Sequence, residues 1–119
     1  MDQILTGKTV LIVEDELLTA MELERMVEEA GGRTIGPTGL LSEALRLVDG
    51  DIDVAVLDAR LDNDTTAPVV EKLRARGIPF LLATGYDTTT LPEGLRNAPL
   101  LGKPYSDDAF YAAVRKYLI

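Results

Sequence analysis

Three apolar runs along this chain end on charged residues. Lys8-Thr9-Val10-Leu11-Ile12-Val13 leads into Glu14-Asp15, Val54-Ala55-Val56-Leu57 into Asp58, and Pro99-Leu100-Leu101-Gly102 into Lys103-Pro104. Unbroken apolar runs of this kind read as strands buried on both faces of a parallel sheet. Between them the period changes. Leu17, Leu18, Met21, Met26 and Val27 step at near-helical intervals within Glu16 to Ala30, and Gly31-Gly32 supplies the stop. Arg33-Thr34-Ile35 reads as a short second strand closed by Gly36-Pro37. Leu41, Ala44, Leu45 and Val48 then trace a second helix, which Asp49-Gly50-Asp51 ends.

Beyond Asp58 lies a polar loop, Asp62-Asn63-Asp64-Thr65-Thr66, rich in helix-capping residues. The next helix runs to Arg76-Gly77 with Val69, Val70 and Leu73 on its apolar side, and Pro68 is tolerated because it falls in the first turn. Ile78 to Ala83 is a fourth strand, with Thr84 at its end. The last helix opens on Ser106 as cap, with Asp107-Asp108 against the helix dipole, and Phe110, Ala113, Val114 and Tyr117 form its expected buried face. Asp87 to Ala98 holds three consecutive threonines, Pro92 and Gly94, so only a short or frayed helix is expected there. The alternation predicts an α/β domain over residues 1–119, built as five β/α units of a doubly wound parallel sheet with about five helices.

Ligands of such sheets bind outside the carboxyl ends of the strands. Glu14, Asp15, Asp58, Thr84 and Lys103 should therefore meet at one edge. Asp15 and Asp58 together suit one Mg²⁺, a hard ion usually held by one or two carboxylates plus waters and phosphate oxygens, with Glu14 reaching it through a water. Clustered carboxylates repel one another, so at least one should have a raised pKa and the metal-free site should be the less stable. Lys103 adds a point charge for Asp58 or for a phosphoryl oxygen. A cis peptide before Pro104 is one way to aim it. A carboxylate nucleophile beside Mg²⁺ and lysine suits phosphoryl transfer through an acyl phosphate, and the Thr84 hydroxyl is placed to hydrogen-bond a phosphoryl oxygen. Taken singly, each feature is ordinary: an aspartate ends many strands, and Glu14-Asp15 can simply start a helix. Their order along four strand ends carries the argument.

Composition narrows the classes. With 119 residues, 46% of them hydrophobic, one folded domain is expected. A net charge of −8 argues against binding to nucleic acid or to anionic membranes. Without cysteine there is no disulfide framework or thiolate site. Without histidine, any phosphohistidine must come from a partner. The N-terminus lacks the basic flank and apolar core of a signal peptide, and no run reaches membrane-spanning length, so a cytoplasmic location is expected.

These residues together resemble a response-regulator receiver domain of bacterial two-component signalling, over essentially the whole chain. The resemblance implies a flavodoxin-like sheet of order 2-1-3-4-5. It makes Asp58 the phosphoacceptor, Glu14 and Asp15 the acid pair, and Thr84 and Lys103 the phosphoryl-binding residues. Mg²⁺ is then the cofactor, and the backbone carbonyl of Arg60 completes the metal shell. Pro79-Phe80-Leu81-Leu82-Ala83-Thr84-Gly85-Tyr86 is also similar to the PFxFATGY signature of the FAT GUY receivers, with Leu82 in place of the second phenylalanine. That subgroup implies a histidine kinase of the HWE type as phosphodonor and a downstream protein as partner. A receiver modifies only itself, so it is not expected to be an enzyme in the usual sense.

Two departures stand out. The position three before the lysine, an aromatic switch in many receivers, is Leu100, and Tyr86 is the nearest aromatic. The weak helix after Tyr86 lies where the family presents its output face, so an order–disorder switch on phosphorylation is the expected alternative. Two competing readings are a pseudo-receiver that binds partners without phosphorylation, and a phosphate sink or shuttle. An aspartyl-phosphate phosphatase typically needs a second aspartate two residues after the nucleophile, where Arg60 stands, and no GxxxxGK[ST] loop occurs.

Overall fold

β1 (Thr9–Val13) and β3 (Val54–Leu57) lie side by side at the centre of the sheet, and every residue of both is buried. The computed structural model describes residues 3–62, 64–85 and 91–119. Around the central pair stand β2 (Arg33–Thr38), β6 (Phe80–Thr84) and β7 (Leu100–Gly102), giving a five-stranded sheet of order β2-β1-β3-β6-β7. All four pairings are parallel. Counting sheet strands alone, this is the expected order 2-1-3-4-5, and the fold is flavodoxin-like.

The period-two alternation of each strand divides the core. Leu11, Val13, Ala55, Leu57, Phe80 and Leu82 point to one face, where α2 (Leu41–Leu47) and α3 (Ala67–Arg76) cover them with Ala44, Val69, Val70 and Leu73. Val10, Ile12, Val54, Val56, Leu81 and Ala83 point to the other, against α1 (Leu17–Glu29) and α4 (Asp107–Tyr117) with Leu23, Met26, Val27, Phe110 and Val114. The Tyr111 hydroxyl donates to Met26 O at 3.0 Å and ties these two helices together. The expected cap holds: Ser106 Oγ accepts from Ala109 N at 3.1 Å. Gly77 ends α3 in the left-handed region at φ 68°, a conformation glycine adopts without steric cost.

Several expectations shift. β7 is only partly buried, because it is an edge strand and not a doubly covered one. β2 runs on through Gly36-Pro37 to Thr38. Leu17, Leu18 and Met21 are 71%, 74% and 54% exposed, so α1 buries Ala20, Leu23, Met26 and Val27 instead. In α4, Tyr117 lies outside the buried face, where Tyr111 takes its place. The polar loop after Asp58 contains a small antiparallel ribbon, β4 (Arg60–Leu61) with β5 (Asp64–Thr65).

Four helices occur among the described residues, one fewer than expected. Asp87 to Thr90, like Tyr86, fall outside them. Residues 91–98 form turns, with Asn97 at φ 67°, which fits a stretch holding Pro92 and Gly94. Leu91, Leu95 and Ala98 are nevertheless buried in the core. It lies close against α3: a Cβ added at Gly94 would fall 2.8 Å from the Ala67 Cβ.

Candidate functional site

The carboxyl ends of β1, β3, β6 and β7 bring Glu14, Asp15, Asp58, Thr84 and Lys103 to one edge of the sheet, as the strand-end pattern predicts. Each is set by its backbone. Asp58 N donates to Val13 O and Lys103 N to Thr84 O, both at 2.9 Å, which continues the sheet ladder just past the strands. The peptide between Lys103 and Pro104 is cis.

Carboxylate oxygens of Glu14, Asp15 and Asp58 lie within 4.8 Å of one another. Lys103 Nζ donates to both Glu14 Oε1 at 2.8 Å and Asp58 Oδ2 at 3.0 Å. Glu14 is the buried member, its side chain 1% exposed, and its other oxygen accepts from Glu16 N at 3.1 Å. Burial raises its pKa above the ordinary carboxylate range, the nearby Asp58 charge adds to this, and the Lys103 hydrogen bond opposes it. The expectation of a raised carboxyl is met, with desolvation ahead of mutual repulsion as its cause. For Lys103, burial pulls the ammonium down, but the hydrogen bonds to Glu14 and Asp58 outweigh it and the pKa ends above the usual lysine value.

Asp58 is more open. It lines a cleft of about 390 Å³ with Arg60, Asp62, Thr84 and Gly85. Thr84 is 2% exposed yet reaches this cleft, in keeping with a hydroxyl at the strand end. Arg60 is exposed, and its amide approaches Asp58 Oδ1 at 3.5 Å. A larger cleft of about 600 Å³ lies on another side of Lys103, between α1 and the start of α4, lined by Leu18, Met26 and Tyr105 among others. Leu100, at the position of the absent aromatic switch, is partly buried against the core.

Three contacts were not anticipated from the sequence. Asp62, at φ 50°, donates its amide to Asp15 Oδ2 at 2.8 Å and so orients that carboxylate. Gly39 passes so close to Asp15 that a Cβ would fall 2.8 Å from its Cα and Cβ. Thr66 donates its hydroxyl to Asp58 O at 2.7 Å. The glycine and the cluster of Asp and Thr were visible as residue types, but only the fold shows what they approach.

No protein-family model and no curated protein matches the chain. Solved structures do. The chain is similar to SdrG from Sphingomonas melonis Fr1, at 38% identity over 97% of each chain and a TM-score of 0.78. The response regulator PhyR from Brucella abortus matches at 30% identity and a TM-score of 0.83, over 98% of this chain and 49% of that one. The signal receiver domain of a modulated diguanylate cyclase from Desulfovibrio desulfuricans G20 matches at 28% identity and 0.78, over 92% and 91%. The chain belongs to the response-regulator receiver family. It spans about half of PhyR and nearly all of SdrG, a receiver-sized match. SdrG is also known in a BeF3-activated conformation, which matches at 38% identity and a TM-score of 0.76 over 92% of this chain and 95% of that one.

As a metal site the receiver's edge is chemically apt. Its donors are hard carboxylate oxygens from three residues, without the nitrogen or sulfur ligands that softer ions select. Among the described residues, no helix is long and apolar enough to cross a membrane.

Proposed function

We propose that this receiver is a phosphoacceptor: Asp58 takes a phosphoryl group from a histidine kinase, and the modified domain changes its contacts with a downstream protein. One observation carries the reading. The Asp58 carboxylate opens on a cleft while Lys103 holds it at 3.0 Å and two further carboxylates crowd it. Such a group is a nucleophile with one counter-charge, Lys103, already in place and an acid cluster beside it that suits a divalent cation.

An Asp58 oxygen forms the new bond to phosphorus as the donor's P–N bond breaks. The electron pair leaves with the imidazole nitrogen, and an acyl phosphate results. Lys103, kept charged by its two acid partners, turns from Asp58 to the phosphoryl oxygens. Thr84 offers its hydroxyl from the wall of the same cleft. Glu14, Asp15 and Asp58 would hold Mg²⁺, with the Arg60 carbonyl that the family resemblance adds. Bound there, the ion supplies charge neutralisation for the transferred group. The BeF3-activated form of SdrG supports this reading. A partner kinase of the HWE type follows from the resemblance of Pro79–Tyr86 to the FAT GUY signature, and a cytoplasmic setting accords with such a partner. The domain acts on itself alone and is no enzyme toward other substrates.

Intact mass after incubation with acetyl phosphate and Mg²⁺ tests this, beside an Asp58→Asn control. One phosphoryl adduct that requires Mg²⁺ and is absent from the control is the expected result. An adduct that persists in Asp58→Asn sinks the assignment, and a folded, Mg²⁺-binding protein that takes no phosphoryl group from either acetyl phosphate or a kinase favours the pseudo-receiver.

A further inference from the structure

Thr66 stands where α3 begins, at the position from which a Ser, Thr, Asp or Asn side chain usually accepts a hydrogen bond from the first-turn amides. It makes no such cap. Its hydroxyl donates instead to the main-chain carbonyl of Asp58 at 2.7 Å. A hydroxyl carries a single proton, so this bond uses its whole donor capacity. Thr66 is 0% exposed, so water does not readily take over the role.

The contact is doubled. Thr66 N donates to Ala59 O at 3.0 Å, beside the hydroxyl bond to residue 58. On its other side, Thr66 O accepts from Val69 N and Val70 N, each at 3.0 Å, and both valines are fully buried. The end of β3 is thus fastened to a helix turn that is itself fixed in the core. Asp58 N is meanwhile tied to Val13 O at 2.9 Å. With its amide held by β1 and its carbonyl by Thr66, the main chain of Asp58 has little freedom to swing its carboxylate. Reacting atoms must be aligned closely for transfer, and a misplacement of about 1 Å can cost roughly a hundredfold in rate.

We infer that Thr66 is a positioning residue for Asp58, its buried hydroxyl fixing the main chain from which the phosphoacceptor carboxylate projects. The inference rests on the phosphoacceptor reading. It predicts that the hydroxyl matters for rate beyond what it contributes to stability.

The test compares phosphoryl uptake from acetyl phosphate and Mg²⁺ in the full chain, followed by intact mass at a temperature where circular dichroism shows every variant folded. Thr66→Val keeps the shape and removes the donor; Thr66→Ser keeps the donor. Val114→Ala, equally buried but in α4 on the other face of the sheet, reports the effect of lost packing alone. Thr66→Val is expected to slow uptake roughly tenfold, with Thr66→Ser near the parent rate and Val114→Ala destabilised but undiminished in rate. If valine cannot be packed, Thr66→Ala takes its place with the same expected result. The inference is overturned if the donor-less variant labels at the parent rate, or if Val114→Ala slows as much. A folded, Mg²⁺-binding parent protein that takes no phosphoryl group from acetyl phosphate or from a histidine kinase overturns the phosphoacceptor reading itself, and this inference with it.

Discussion

Lys103 lies closer to Glu14, at 2.8 Å, than to Asp58, at 3.0 Å, and of the two carboxylates Glu14 is the more deeply buried. The lysine therefore has two tasks in the resting protein. It neutralises a carboxylate that water hardly reaches, and it pairs with the more open Asp58.

Removing the lysine should expose the first task. Lys103→Met leaves Glu14 buried without its counter-charge, and a broken buried pair commonly costs about 3–5 kcal/mol. Because Lys103 is itself partly exposed, about 2–3 kcal/mol is expected near neutral pH. The fold raises the Glu14 pKa, so the protonated carboxyl is the form it prefers. That contribution is full below the ordinary value of about 4.3 and is lost as pH rises through the folded value. The penalty in Lys103→Met should accordingly shrink in acid. Urea unfolding at about pH 5 and about pH 8 checks this, and an unchanged penalty would falsify the pairing as its source.

At the alkaline end, Tyr105 is the group to watch. Burial pushes its phenol up to about 12, so the fold favours the neutral ring. Its contribution to stability is intact below the ordinary value near 10 and disappears as pH climbs toward the folded one. A titration of tyrosinate absorbance should show a late component that Tyr105→Phe diminishes, the remainder belonging to Tyr111, whose phenol burial also raises. Should the variant leave that component undiminished, Tyr105 is not part of it.

Metal binding should stabilise a site whose acids crowd one another. Three carboxylates with oxygens within 4.8 Å gain a counter-ion, and saturation at about a hundred times Kd corresponds to about 2.7 kcal/mol. Thermal unfolding with and without Mg²⁺ should show an upward shift in the parent protein. In Asp15→Asn, which can still accept the Asp62 amide, most of the shift should vanish. Equal shifts in both proteins would place the ion elsewhere.

The approach of Gly94 to α3 allows a substitution test of packing. Glycine to alanine at an unstrained open position usually stabilises by about 0.4–1 kcal/mol through the unfolded chain. Gly50→Ala, which meets only ordinary contact, should follow that rule. Gly94→Ala should instead destabilise by about 1 kcal/mol or more, since its methyl falls 2.8 Å from that of Ala67. Chemical denaturation of the two side by side decides it.

Much of this architecture could be read from the chain. The central strands announced themselves because burial on both faces leaves them almost wholly apolar, and the charged residues that follow β1, β3 and β7 named the edge where Asp58 and Lys103 meet. Helix faces were less legible. Leu17, Leu18 and Met21 look like core residues, yet spacing alone does not say which side of α1 meets the sheet, and the smaller Ala20 is buried in their stead. The roles of Thr66, Asp62 and Gly39 were hidden for another reason: each depends on a partner 8 to 47 residues away. Hydroxyls and amides carry no sequence signal for the carbonyl or carboxylate they will find.

The two edges of the sheet have a further consequence, for how copies of the molecule behave together. An edge strand offers unpaired amides and carbonyls to any neighbouring chain. Here β2 carries Pro37 within it, and β7 is only three residues long with Pro99 before it and Pro104 soon after. Proline has no amide to donate, so neither border can template a long added strand. With a net charge of −8 adding mutual repulsion, the domain is armed against edge-to-edge aggregation.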